Sequence, residues 1–407
     1  MSKEKKPEIR FKGFEDEWNQ SSFGKICEVY DGVHQTPKYT SWGIMFVSVE
    51  DIKSLKSDKF ISEEDFKKDF KVYPEKDDIL MTRIGDIGTT NIVNTNEPLA
   101  YYVSLALLKS PKLNPYFFKT AIECQDTKAE LYKRTLHIAF PKKINKNEIS
   151  LVGIKYPKQK EQESIGKFFR NIDALINETE KEVDKLEILK QASLFKMFPR
   201  SGSSVPEIRF QGFENKWMKC KLDKLLEQRI EHQKISDKEP LLAFSYAEGV
   251  IDPEDKKCNK RDFLMTDKDN KIFSRTKVDD IIYNPANVIH GAIHRNKLKS
   301  GVVSPIYKIF KCKEGVSPKY MGVRLRTPNF INDILKYIEG TVIKLRTLSP
   351  ESFLNMEIDI PESFAEQECI GEYFCQLDEL IISKRKKLVK LRQVKEALLD
   401  KMFVNID

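Results

Sequence analysis

The sequence predicts an α+β protein with a pseudo-twofold internal repeat: two tandem globular domains separated by two long helices that pack as an antiparallel coiled coil. Three observations carry this. Residues 7–18 (PEIRFKGFEDEW) return as 206–217 (PEIRFQGFENKW). Residues 161–176 (EQESIGKFFRNIDALI) return as 366–381 (EQECIGEYFCQLDELI), and both copies run into Lys/Glu/Leu-rich stretches ending in KMF, at 196–198 and 401–403. Behind each EQ motif, apolar residues recur at steps of four and three. A nearly constant offset at both ends of the repeat marks one duplicated unit, because chance motifs would not keep their separation.

The division is a first globular domain at 1–157, a long helix at 158–199, a linker and second globular domain at 200–361, and a second long helix at 362–407. Trp18 and Trp217, with their flanking Phe residues, read as core at the start of each repeat. Segments 44–49, 79–83, 104–108, 281–284 and 306–310 are short, rich in β-branched, aromatic or leucine residues, and bounded by Gly, Pro or Asn, as strands are. Segments 114–128 and 317–338 read as helices. Asp77-Asp78-Ile79-Leu80 echoes Asp279-Asp280-Ile281-Ile282, and Asn114-Pro115 echoes Ser317-Pro318. The apolar frame is kept while most polar positions differ. Two copies of one scaffold facing different targets would look so, and so would drift after duplication; the pattern alone does not decide.

Pro157 and Pro361 each precede a helix start, and Ser363 with Glu366 has capping-box spacing. Ile165, Phe169, Ile172, Ile176, Val183 and Leu186 form the first seam, interrupted at Thr179. Ile370, Phe374, Leu377, Ile381, Leu388 and Leu391 form the second, interrupted at Lys384. A heptad seam requires a partner helix. Each helix should span roughly 35–40 residues, or about 55 Å. The nearest partner is the other seam, and a globular domain between them lets the chain return antiparallel, giving a rod with a domain at each end. The alternative is a helix lying flat on its own domain.

Composition narrows the class. The chain has 407 residues, 40% of them hydrophobic, enough for more than one core. A net charge of +8 is small for this length and argues only weakly for nucleic acid. The seven cysteines include no CxxC pair, which reads as reduced cytoplasmic thiols. No apolar run approaches a membrane span, and the first residues lack the apolar core of a signal peptide.

With these motifs in view, the chain resembles the specificity subunit of type I restriction–modification systems. The resemblance rests on the paired PEIRF-x-GFE-x-x-W openings, the paired EQ-x-x-IG-x-x-F-x-x-x-D-x-x-I helix starts and the paired KMF endings, and it covers essentially the whole chain. It implies two target recognition domains, each reading half of a split, asymmetric double-stranded DNA sequence. It also implies docking of two methyltransferase subunits on the long helices and addition of two motor-nuclease subunits. S-adenosylmethionine, ATP and magnesium would then be used by the partners, with no cofactor or metal in this chain.

The residues agree with a recognition role. No G-x-x-x-x-G-K-[ST] phosphate loop is present. Residues 84–88 (IGDIG) lack a third glycine and read as a turn. Tyr283-Asn284-Pro285 resembles the Asn-Pro-Pro-aromatic site of adenine methyltransferases but lacks the second proline and the aromatic. Glu254-Asp255-Lys256 reads as a charged turn, not a nuclease set. His290 and His294 lack a nearby Cys or Glu to complete a metal site. A stand-alone methyltransferase or nuclease would need such motifs, and a coiled-coil scaffold would not need two globular domains with divergent loops.

Arg and Lys donate to guanine or phosphate, and Asn and Gln pair with adenine. The candidate DNA contacts are therefore clusters of such groups. In the first half they are Lys38, Tyr39, Thr40 and Trp42; Thr82 and Arg83; and Lys133, Arg134 and His137. In the second half they are Asn284, Asn287, His290, His294, Arg295 and the neighbouring Asn296, with Lys344 and Arg346 further on. Arg170, Glu178, Glu379 and Arg385 read as outward helix positions for partner docking.

Overall fold

The computed structural model describes residues 6–200, 202–255, 271–338 and 347–404. The chain divides into two compact units, one of Met1–Lys181 with Lys386–Asp407 and one of Glu182–Arg385. This division cuts both long helices, so neither helix forms a segment of its own. Each unit holds a globular part with a stretch of each helix.

The first unit runs β1 (Asn19–Ser22), α1 (Phe23–Ile26), β2 (Glu28–Asp31), β3 (Ile44–Val47), β4 (Phe60–Ile61), α2 (Glu63–Asp69), β5 (Ile79–Ile84), β6 (Asp86–Ile92), β7 (Leu99–Tyr101), β8 (Leu105–Lys109), α3 (Pro115–Glu123), α4 (Gln125–Lys133), α5 (Lys146–Ser150), β9 (Gly153–Tyr156) and the start of α6 (Gln159–Lys196). An antiparallel sheet in the order β2-β8-β5-β6 lies at its centre. β5 and β8 are buried on both faces, and their period-2 alternation divides between two cores. Ile79, Met81, Ala106 and Leu108 face Phe117, Phe118 and Ile122 of α3. Leu80, Leu105 and Leu107 face the second sheet, β4-β3-β7, through Phe46 and Val47.

The second unit repeats this plan with β10 (Met218–Lys221), α7 (Leu222–Leu225), β11 (Leu226–Gln228), β12 (His232–Gln233), β13 (Ala243–Ser245), β14 (Gly249–Ile251), β15 (Phe273–Thr276), β16 (Ile281–Tyr283), β17 (Ile293–Arg295), β18 (Gly301–Val303), β19 (Lys308–Cys312), α8 (Pro318–Arg324), α9 (Pro328–Ile334), α10 (Pro350–Leu354), β20 (Glu357–Ile360) and α11 (Phe364–Met402). Its central order, β11-β19-β16-β17, matches that of the first unit. Ile281, Tyr283 and Phe310 face one core, and Ile282 and Ile309 the other. The paired Asp-Asp motifs turn alike: Asp77 (φ 74°) and Asp279 (φ 73°) are left-handed, a conformation Asp tolerates better than most. Asp78 then accepts from Glu75 N, and Asp280 from Lys277 N.

Both helices expected within the globular parts are broken. Residues 114–128 divide into α3 and α4 at Cys124, whose backbone is extended. Residues 317–338 divide at Thr327, which caps α9, with Pro328 in its first turn where the missing N–H costs nothing.

The repeated motifs fold into one clamp, built once in each unit. Arg10 donates through Nε and Nη2 to the two carboxylate oxygens of Glu161, both at 2.7 Å. Gln162 accepts from Asn114 N at 2.9 Å and donates to Pro157 O at 2.9 Å, and Asn114 in turn caps α3. In the second unit Arg209 forks onto Glu366 at 2.6 and 2.7 Å, while Gln367 bridges Ser317 N and Pro361 O. A Cβ on Gly166 would lie 2.6 Å from Asn114 Oδ1, and one on Gly371 would lie 2.6 Å from Tyr320 N, so both IG positions require glycine. The KMF endings complete each core. Phe403 packs edge-on against Trp18 and stacks on Phe117; Phe198 packs against Trp217, Tyr320 and Phe374. Ile9 N donates to Lys401 O and Ile208 N to Lys196 O, both at 2.9 Å.

α6 and α11 are antiparallel within each unit. Asp173 pairs with Lys395 and Glu180 with Arg392 in the first; Glu182 pairs with Lys384 and Lys190 with Asp378 in the second. Ile165, Phe169, Ile176, Val183, Ile370, Phe374, Leu377 and Ile381 are buried, and Ile172, Leu186, Leu388 and Leu391 half-buried. Both polar interruptions are satisfied: Thr179 donates to Leu175 O, and Lys384 reaches Glu182. No helix among the described residues is long and apolar enough to cross a membrane.

Glu366 carries one bond more than Glu161, since Trp217 Nε1 also donates to it at 3.2 Å, whereas buried Trp18 Nε1 has no partner among the described residues. Removing one member of a buried pair strands the other, so Glu366→Ala should cost about 3–5 kcal/mol. Glu161→Ala should cost less. Native-state hydrogen exchange, followed unit by unit, measures both losses, and equal losses would contradict the asymmetry.

Candidate nucleic-acid interface

In the first unit the residues singled out in sequence fall into two exposed loops and one buried pin. Thr40 N donates to Phe60 O and its hydroxyl to Trp42 O at 2.7 Å. Gly43 has φ 129°, and a Cβ there would lie 2.3 Å from Ile61 O, so the chain turns sharply and leaves Trp42 78% exposed. Tyr39 is held edge-on by Phe46, with the Lys59 ammonium 5.9 Å from its ring. Lys38 is exposed beside it. The second loop follows α4. Lys133 and His137 are exposed, the His137 ring lies tilted 4.4 Å from that of Tyr132, and Lys142 lies over the Tyr132 ring at 5.7 Å. Arg134 is partly buried and tied to Glu130 and Glu148.

Thr82 and Arg83, expected at the surface, are instead buried. The Thr82 hydroxyl accepts from Thr89 N at the β5–β6 turn. Arg83 pairs with Asp31 and donates from Nε to Ile144 O at 3.0 Å. A cation this enclosed is spent on the fold and is not offered to a ligand. Continuous burial of β5 on both faces is the cause, and a strand reading ending at residue 83 gave no sign of it.

In the second unit Asn287 and His290 are exposed at a turn before β17. The Asn284 side chain accepts from Ala286 N, and the Tyr283 hydroxyl donates to Leu348 O, so the Tyr-Asn-Pro sequence is a structural turn. His294 and Asn296 are corrections: both are buried, and Asn296 Nδ2 donates to Thr276 Oγ1, Lys277 O and Lys299 O. Arg295 is largely enclosed between Asp279 and Cys375. Lys344 and Arg346 lie outside the described residues, as does Lys256 of the charged turn. A cavity of about 550 Å³ that sequence reasoning missed is lined by Tyr246, His290, Arg326 and Asn332. Its residues come from three separate segments, so no local motif announces it. Among the described residues no group of three His, Cys, Asp or Glu could hold a metal.

His294 donates from Nε2 to Tyr246 O at 2.9 Å and lies under Gly249, where a Cβ would meet its own Cβ at 2.7 Å. Burial first, and Arg326 next, push its pKa down to about 4. The unfolded chain therefore binds a proton near pH 6.5 that the folded one refuses until near pH 4. Stability should fall with pH across that window, by roughly 2 kcal/mol between pH 7 and pH 5. Urea midpoints at the two pH values should differ for the native chain by more than for His294→Gln; an unchanged difference would remove His294 as the cause.

Residues 15–188 match the family model of the type I restriction modification DNA specificity domain. Among solved structures, the type-I restriction-modification system S subunit from M. genitalium shares the fold over 99% of this chain and 100% of its own, with a TM-score of 0.65 at 12% identity. A chain from a structure of type I R-M system assembly and conformational transition covers 95% of this chain and 97% of its own, with a TM-score of 0.47 at 11% identity. The HsdS subunit from Thermoanaerobacter tengcongensis covers 95% and 96%, with a TM-score of 0.38 at 14% identity. No curated protein matches. The matched domain contains both exposed loops of the first unit, and the second unit repeats its clamp and strand order. Residues 15–188 are thus similar to the type I restriction modification DNA specificity domain, and the chain as a whole shares the fold of an S subunit.

Proposed function

We propose that the two units each read one half of a split, asymmetric DNA target, and that the chain docks methyltransferase and motor-nuclease subunits that carry the chemistry. The observation that carries this reading is the duplicated clamp. Identical residues fix two copies of one sheet-and-helix frame, while the exposed groups differ: Tyr39, Trp42, Lys133 and His137 on one, Tyr246, Asn287, His290 and Arg326 on the other. A frame held constant with changed contact groups suits two different half-sites. S-adenosylmethionine, ATP and magnesium belong to the partners, two methyltransferase and two motor-nuclease subunits.

Docking has its own support. Within the second unit, Ile188 and Leu189 of α6 and Leu380 and Ile382 of α11 stay exposed beside the buried seam. Apolar groups standing outside a filled seam suit a protein partner. Of the outward charges, Glu178 and Glu379 are exposed, but Arg170 stacks on Tyr116 at 4.6 Å and Arg385 pairs with Glu187, so these two serve the chain itself.

Two experiments test the reading. Random-sequence DNA selected by the chain with its methyltransferase should yield one bipartite sequence, and replacing residues 11–156 by the matching segment of a relative should change one half of it. Change in both halves, or in neither, refutes independent reading. Separately, Ile188→Asp combined with Ile382→Asp should abolish co-purification of the methyltransferase subunits while circular dichroism stays native; an intact assembly would move the docking surface elsewhere.

A further inference from the structure

The loop that follows α4 ends in a tip that no feature of the fold explains. Ile138 is 99% exposed and Phe140 103%, while Leu136 before them is 40% exposed. Water is a poor environment for such groups, and two fully exposed large apolar side chains side by side require a partner. The tip is not slack chain. Leu136 N donates to Lys143 O at 2.8 Å, Gly85 N to Lys142 O at 2.8 Å, and Ile144 N to Arg83 O at 3.0 Å. Buried Arg83 pins the far side through Ile144 O and Asp31. The base of the loop is therefore pinned to the β5–β6 hairpin, and the prong projects from it.

The surroundings identify the partner. Exposed Lys133, Lys142 and Lys143 and the exposed His137 collar the prong, and the Tyr132 ring is in contact with His137 and lies under the Lys142 ammonium. The nearby acids, Glu130 and Glu148, are engaged by Arg134, and Glu130 also by Lys133. A purely apolar protein pocket would gain nothing from such a collar. Phosphates on either side of a base step would, because cations fix register on the backbone while an apolar group enters the stack.

We propose that the 136–143 prong is a DNA wedge: Phe140, backed by Ile138, inserts between base pairs of the half-site read by the first unit, with Lys133, Lys142 and Lys143 on the flanking phosphates. The half-site then owes part of its specificity to how readily one step unstacks, in addition to base-edge contacts. The inference rests on the DNA-reading role proposed above.

The test uses the full chain with its methyltransferase and a selected target carrying 2-aminopurine at successive positions of the first unit's half-site. Unstacking brightens that base, so one position should brighten with the native chain and stay dark with Ile138→Ser/Phe140→Ser. The double variant, which alters only solvent-exposed groups, should bind the target at least roughly 10-fold more weakly, as loss of one stacked base implies. Phe140→Leu should restore most of the brightening, since any apolar wedge serves. If the native complex selects its target but every position stays dark, the wedge is refuted while DNA reading stands. If the double variant loses the methyltransferase and keeps the brightening, the prong is a protein dock and the proposal is equally refuted. If the native complex selects no sequence, this inference falls together with the functional reading beneath it.

Discussion

The fork of one arginine onto one glutamate at the base of each long helix organises everything around it. Glu161 and Glu366 are almost fully buried, and a buried carboxylate is tolerable only when its oxygens are filled. The arginine of PEIRF fills them in both units, which fixes the opening segment against the helix. The glutamine that follows fixes the helix to the cap of α3 or α8 and to the proline before it. Glycine four positions on lets that cap approach within contact. Short motifs scattered along the chain are thus parts of one joint, built once in each unit.

That joint explains why the globular frame can be constant while its surface changes. The clamp and the aromatic plug of Phe403 or Phe198 hold the helical side of each central sheet. The other sheet face and the loops beyond it carry no repeated motif: a 4-3-7 strand order in the first unit becomes two small sheets in the second. Loops on a rigid scaffold are where recognition groups collect, because changing them leaves the core intact. Even the enclosed cations follow this division. Arg83 and Arg229 each pair with a carboxylate of the same unit, Asp31 in one and Asp280 in the other; Arg83 is buried and Arg229 half-buried.

How much of this was legible beforehand follows from the same physics. The duplication, both long helices and their seams could be read directly, because heptad spacing and repeated words survive without knowledge of the fold. The antiparallel course of the helices followed from the globular domain between them, which lets the chain return. Burial of single polar residues could not. Arg83, His294 and Asn296 sit in strings of polar letters that resemble a contact surface, yet each completes an internal hydrogen-bond set across 20 to 61 positions of sequence. The prong was half visible: Lys133 and His137 were singled out as candidate contacts, whereas Ile138 and Phe140 were not, because nothing local in the sequence marks an apolar side chain as exposed.

The arrangement of the chain within each unit has a consequence for how the fold closes. The second unit is one continuous stretch, Glu182–Arg385, so its core can form from contacts along a single segment. The first unit is not. Phe403 and Met402 lie in the same core as Trp18, Phe117 and Phe169, and Lys395 sits between Glu123 and Asp173. Residues more than 200 positions apart must meet before that core excludes water, and closing so long a loop carries an entropic cost that contacts within the second unit do not bear. Until α11 arrives, Glu123 and Asp173 lack one cation, and Trp18 and Phe117 lack the ring that covers them. The first unit is therefore completed by residues 395–403, and its exposed loops are mounted on a core that two stretches far apart in the sequence must build together.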